Sequence, residues 1–150
     1  MNYRSTMKVN DKGHLEIGGC DCVGLAEKYG TPLYIMDEEY VRSVCRAFRQ
    51  TIAQTYGEGN MAYASKAFSC KAIYNIMKQE GTCIDVVSGG EIYTAASAGF
   101  DMSRAFFHGN NKLDGELDLA MQAGVGTIVV DAAHDAERIN EYAKKYGRVQ

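Results

Sequence analysis

Lys66 is the position in this 150-residue chain whose type and setting most directly suggest chemistry. It follows a short apolar stretch, Met61-Ala62-Tyr63-Ala64-Ser65, that reads as a strand. Ala62, Ala64 and Lys66 share one side of that strand by parity. Two alanines below a lysine leave room for a flat ring. A lysine in an enclosed place loses some of its preference for the charged form and can attack an aldehyde. The same position also suits a strand-end lysine that reaches out to water.

Asp85 interrupts the apolar run Cys83-Ile84-Asp85-Val86-Val87. A carboxylate in a buried strand needs a partner. Lys66, a cation bound beside it, or backbone donors would each serve. Ser88-Gly89-Gly90-Glu91 has the spacing of a capping box, and its glycines also suit a helix start whose amides face a ligand. His108-Gly109-Asn110-Asn111-Lys112 is a polar, flexible run placed to be either a ligand-facing loop or a helix cap at Asn111.

Several chemistries find no support. Cys20-x-Cys22 lacks the spacing and companion ligands of a zinc site, and His14 and His134 have no metal partners in sequence, so no metal is expected. No phosphate loop, Gly-x-Ser-x-Gly elbow or His-Glu-x-x-His occurs. A net charge of -3 without a basic run excludes the usual electrostatic footprint for nucleic acid. No apolar run is long enough to span a membrane, and Met1 to Thr6 does not read as a secretory leader. Five cysteines, an odd number without secretory context, suit a reduced, cytoplasmic protein.

The elements that must position these groups alternate regularly. Leu15-Glu16-Ile17 reads as a short strand from His14, Asp21 as the cap of a helix to Tyr29, and Leu33-Tyr34-Ile35 as another strand. Asp37 caps a helix with the stripe Val41, Val44, Phe48 and Ile52. Tyr29, Tyr40, Phe48 and Tyr56 read as core or interface aromatics. Four strand–helix units follow, each about 22 residues long. Their strands are expected at 61–65, 83–87, 104–107 and 127–130. Their helices are expected at 69–80, 89–98, 113–123 and 135–146. Glycines punctuate the helix ends. This predicts an α/β fold with a parallel sheet, the first half of a (β/α)8 barrel. Residues 37–150 are expected to form the barrel half, preceded by a segment of residues 1–36. A fifth strand is expected to start near Arg148-Val149-Gln150, so the chain reads as the N-terminal portion of a longer protein. Lys66 and His108 then fall at strand C-terminal ends, the catalytic face of such barrels.

Taken together, Gly30-Thr31-Pro32-Leu33-Tyr34, Ala62-Tyr63-Ala64-Ser65-Lys66-Ala67, Asp85-Val86-Val87-Ser88-Gly89-Gly90-Glu91 and Phe107-His108-Gly109-Asn110-Asn111-Lys112 resemble the diaminopimelate decarboxylases. These belong to the fold-type III pyridoxal-phosphate decarboxylases, whose barrel is of the alanine racemase type. The resemblance runs over about residues 13 to 147. Phe68 departs from it, standing where many members have Asn.

The resemblance implies that residues 1–36 join a β domain to the barrel. It implies pyridoxal 5'-phosphate as cofactor and Lys66 as the lysine that bonds to it. It places Ala64 beside the ring, Asp85 near the cofactor and Lys66, and Ser88, Glu91 and His108 around the same pocket. It implies conversion of meso-diaminopimelate to L-lysine and carbon dioxide in lysine biosynthesis, by a homodimer when full length. The family's remaining cofactor and substrate groups come later than residue 150, so the chain alone is expected to be inactive and to bind the cofactor weakly. Two other readings compete: a non-catalytic chain that pairs with another through an open barrel edge, and an ornithine- or arginine-type decarboxylase. The His108 to Lys112 loop argues against the last.

Overall fold

The computed structural model describes residues 6–148. The expectations for the first five residues and for a strand through Val149 and Gln150 lie outside the described residues. The chain divides into two compact units, Met1–Gln50 and Thr51–Gln150.

In the first unit, β1 (Lys8–Val9), β2 (Leu15–Ile17) and β3 (Cys20–Asp21) form an antiparallel meander. Only β2 is legible in the sequence, because two-residue strands carry no periodicity. Helix α1 (Cys22–Tyr29) starts at the expected cap: Asp21 accepts from the Val23 and Gly24 amides. His14 Nδ1 and Asn10 Nδ2 lie 3.0 and 3.1 Å from the same carboxylate, which ties the cap to the meander. The hydrogen bond from His14 holds the Asp21 carboxyl down at about 2.

Leu33-Tyr34-Ile35 is not a strand. An isolated extended segment gains ladder hydrogen bonds only from a partner, and Tyr34 is fully exposed. Asp37 caps α2 (Glu38–Tyr56) by accepting from the Tyr40 amide. Cys45 is the buried residue of α2, whereas Tyr40, Phe48 and Tyr56 are exposed, as is Tyr29 of α1. These aromatics are therefore not core residues.

In the second unit, β4 (Ala62–Ala64), β5 (Cys83–Val86), β6 (Ala105–Phe107) and β7 (Thr127–Ile128) form a parallel sheet in sequential order. Helices α3 (Lys71–Gln79), α4 (Gly89–Ser97), α5 (Asp114–Ala123) and α6 (Ala133–Lys145) alternate with them. Sequential order without reversal is the arrangement of a barrel arc, whereas an open doubly wound sheet reverses its strand order.

The two faces of the sheet differ sharply. Ile84, Val86, Ala105, Phe107 and Ile128 are buried with the helix residues Ile73, Ile92, Leu117 and Ile139. On the other face, Ala64, Asp85, Phe106 and Thr127 lie in one cross-strand row and are half-buried or exposed. That row is the inward side of a barrel.

Two short 3₁₀ turns were not legible. One, Ser65–Ala67, follows β4, and the other, Met102–Arg104, precedes β6. The second brings backbone against backbone: a Cβ on Gly126 would sit 1.9 Å from the Ser103 carbonyl oxygen. Gly115, in the first turn of α5, faces open space.

Substitution with alanine therefore separates these glycines. Gly126→Ala should cost upwards of about 2 kcal/mol, because the clash is with backbone and cannot be relieved by a rotamer. Gly115→Ala should be neutral or add up to about 1 kcal/mol by restricting the unfolded chain. Urea midpoints measure both, and a tolerated Gly126→Ala contradicts the close approach.

The Asp21 cap has a pH signature. A depressed carboxyl contributes stability that is complete above its unfolded value of about 4 and is lost as pH falls through its folded value. Protection of the Val23 and Gly24 amides should hold from neutrality down to pH 4 and disappear as pH falls through about 2. Amide hydrogen exchange, corrected for intrinsic rates, reads this; loss of protection already near pH 5 contradicts it.

Candidate active site

Parallel strands place their C-terminal ends on one rim. Lys66 sits just past β4, not as the next strand residue but in the 3₁₀ turn Ser65–Ala67. Strand parity therefore stops at Ala64. The buried Ser65 hydroxyl donates to the Asp85 carbonyl at 2.9 Å, which fixes the turn against the next strand. Tyr63 Oη donates to the Phe68 carbonyl at 2.8 Å and closes the far side of the turn. Ala62, Ala64 and Lys66 itself are exposed. The enclosure expected around Lys66 is thus not supplied by the described residues.

A cleft of about 520 Å³ opens at this rim. Lys66, Val87, Asp131 and the loop from His108 to Asn111 line it. Of the sequence-derived residues, the structure brings Lys66 and His108 into the cleft directly. Asp85 is linked to it through His108: its carboxylate lies 4.0 Å from His108 Nδ1 and is not paired with Lys66.

The remaining candidates act on backbone. Ser88 Oγ accepts from the Glu91 amide at 3.3 Å, as a helix cap should. Glu91 does not close the expected box on Ser88; its carboxylate accepts from the Val87 amide, one residue earlier. The Gly89 amide is taken as well, by Glu116 Oε1 at 2.8 Å, and the other Glu116 oxygen accepts from the Leu113 amide. Glu116 thereby joins the starts of α4 and α5, and the amides of Val87 and Gly89 are not open to a ligand.

Two site residues carried no sequence-based role, Asp131 and Lys112. Asp131 stands just beyond the fourth strand, as His108 stands beyond the third, so the strand-end rule is a signal in the sequence by which it could be found. Asp131 Oδ1 lies 3.9 Å from His108 Nε2. In the sequence Lys112 stands only as the last residue of the run His108-Gly109-Asn110-Asn111-Lys112. Its side chain is 1% exposed and lies 3.4 Å from Asp131 and 3.6 Å from Asp135, itself 4% exposed. Lys112 Nζ also donates to the Gly109 carbonyl. Gly109 takes a φ of 124°, a backbone conformation that favours glycine, and so turns the loop back over its own lysine.

The five cysteines are free thiols. Among the described residues no group of three or more His, Cys, Asp or Glu is placed to hold a metal, and no helix is long and apolar enough to cross a membrane.

The arrangement offers a primary amine, an imidazole and two carboxylates around a space of small-ligand size. Sites for small ligands measure about 300–1,000 Å³. A planar aldehyde fits this set: Lys66 supplies the amine, and Ala62 and Ala64 leave the inner face clear beside it.

Comparison with known proteins gives a consistent picture. Residues 40–149 match the family described as pyridoxal-dependent decarboxylase, pyridoxal binding domain. The chain is 49% identical over 140 residues to diaminopimelate decarboxylase of Bacillus methanolicus, covering 93% of this chain and 32% of that protein. It is 45% identical over 147 residues to the enzyme of that name from Bacillus subtilis, covering 98% and 34%. Among solved structures it is similar to diaminopimelate decarboxylase from M. jannaschii in complex with L-lysine, with a TM-score of 0.81 and 35% identity over 95% of this chain and 33% of that one. The chain spans about a third of the length of the relatives it matches.

The buried lysine makes a stability prediction. Lys112→Met leaves the buried Asp135 carboxylate with Arg138, 3.5 Å from its other oxygen, as its remaining strong cation, and breaking a buried pair from one side costs up to about 3–5 kcal/mol. Lys145→Met, which removes a partner of Asp118 at the surface, should leave the midpoint nearly where it is, because an exposed pair is screened by water. Denaturant titration of the two variants compares them directly; equal midpoints contradict the burial of Lys112.

Proposed function

The chain belongs to the pyridoxal-dependent decarboxylase family, and from that premise we propose that its activity is that of a diaminopimelate decarboxylase, which converts meso-diaminopimelate to L-lysine and carbon dioxide in lysine biosynthesis. The observation that carries the proposal is the meeting of Lys66, His108 and Asp131 in one cleft at the strand C-terminal ends. Identity of 45–49% to proteins of that name supports the substrate. An ornithine- or arginine-type substrate is the weaker reading on the same ground.

Pyridoxal 5'-phosphate is the family's cofactor, and when bound it supplies an electron-accepting ring that takes up the electron pair left by departing carbon dioxide. The residues of this chain hold and orient. Lys66 Nζ would hold the cofactor through its aldehyde group, as the amine of this chain that reaches the cleft. Ala64 keeps the strand surface flat beside the ring. His108, between Asp85 and Asp131, offers ring nitrogens that can hold or pass a proton at the cleft wall. Ser88 and Glu91 support the site from behind by fixing the turn after β5, through the Glu91 and Val87 amides.

The reading extends to residues 1–36 as a segment that joins a β domain, and to homodimeric assembly of the full-length protein in the cytoplasm. The free thiols support a reducing compartment.

Release of carbon dioxide from meso-diaminopimelate by the full-length protein tests the proposal. Lys66→Ala should lower turnover by a factor of about 10³ or more, the loss expected when a covalent-catalysis nucleophile is removed. His108→Ala should lower it by about 10²–10⁴, the range of a positioned acid–base group. Unchanged turnover in Lys66→Ala would overturn the assignment of the site.

A further inference from the structure

Lys112 is the one buried cation among the described residues. An ammonium in the interior is costly unless paired and hydrogen-bonded. Asp135, buried in the first turn of α6, faces Lys112 at 3.6 Å with one oxygen and Arg138 at 3.5 Å with the other. Lys112 reaches a second carboxylate, Asp131, which is 30% exposed and faces the cleft. It also donates to the Gly109 carbonyl, within the loop that carries His108. One side chain thus holds the loop after β6 to the loop after β7.

The consequence falls on His108. Its Nδ1 faces Asp85, which is fixed within strand β5. Its Nε2 faces Asp131 Oδ1, whose other oxygen faces Lys112. Of the two carboxylates that flank the ring, one is set by the sheet and the other by Lys112. We propose that Lys112 is a positioning residue: through Asp131 it sets the orientation of the His108 ring in the cleft that presents Lys66. This rests on the reading of Lys66 and His108 as one site.

The test reads the imidazole itself. Ring ¹⁵N signals of His108 are recorded at neutral pH in the full chain, without cofactor, for the parent and for three variants. Asp131→Asn removes the charge facing the ring from a partly exposed position. Lys112→Met/Asp135→Asn removes both charges of the buried pair, so that neither is left alone. Lys145→Met is the distant control.

Asp131→Asn and the double variant should both move the His108 ring signals, and Lys145→Met should leave them in place. The double variant should also recover most of the denaturation midpoint that Lys112→Met alone loses, yet keep its altered ring signals. That split separates positioning from plain stability. Parent-like ring signals in the folded double variant would overturn the proposal, whatever Asp131→Asn shows. If the double variant does not fold, Lys112→Arg, which keeps the charge and changes its reach, is read in its place by the same criterion. The cofactor reading is scored separately, by pyridoxal 5'-phosphate labelling of Lys66 in the parent. Shifted ring signals without that labelling would support the positioning role and reject the cofactor reading.

Discussion

Parallel pairing in sequential order is the constraint from which the rest of the second unit follows. Each strand must be joined to the next by a crossover, and crossovers of one hand in an unreversed order bring every helix to the same face. That face buries Ile84, Val86, Ala105 and Phe107. The other face is left to Ala64, Asp85, Phe106 and Thr127. The same rule gathers the strand C-terminal ends on one rim. Lys66, His108 and Asp131, far apart in sequence, become neighbours there because each follows a strand.

At the rim, charge takes over from packing. Asp85, His108, Asp131 and Lys112 alternate between carboxylate and nitrogen group beside Lys66, and the series ends at Asp135 in the interior. The exposed end is suited to a ligand, since its groups are not committed to backbone. The buried end is suited to holding geometry, since Lys112 has no access to water. Ser88, Glu91 and Glu116 belong to neither end. They satisfy amides at helix starts and give the loops their shape.

Most of the second unit was legible in the sequence, because its strands are apolar runs and its helices end near glycines of positive φ, at 81, 99, 124 and 147. Asp21 and Asp37 were legible as caps for the same local reason. What was not legible depended on partners distant in sequence. Leu33-Tyr34-Ile35 has a strand's composition but forms no ladder. The aromatics of α1 and α2 have a buried residue's composition but remain exposed. The site shows the same division. Lys66 and His108 stand out by type and strand-end position. Asp131 and Lys112 gain their roles only when the loops after β6 and β7 meet. Glu91 was correctly placed near a helix start, yet its acceptor role goes to Val87, a difference of one residue that spacing alone does not resolve.

The central claim is that Lys66 is the residue that takes up the cofactor. Borohydride reduction of the protein with pyridoxal 5'-phosphate, followed by peptide mass mapping, tests it most directly. The account predicts a pyridoxyl mass on the peptide containing Lys66, with its absence from that peptide in Lys66→Ala. Labelling spread over surface lysines such as Lys8, Lys28 and Lys144, with none preferred at Lys66, would contradict it.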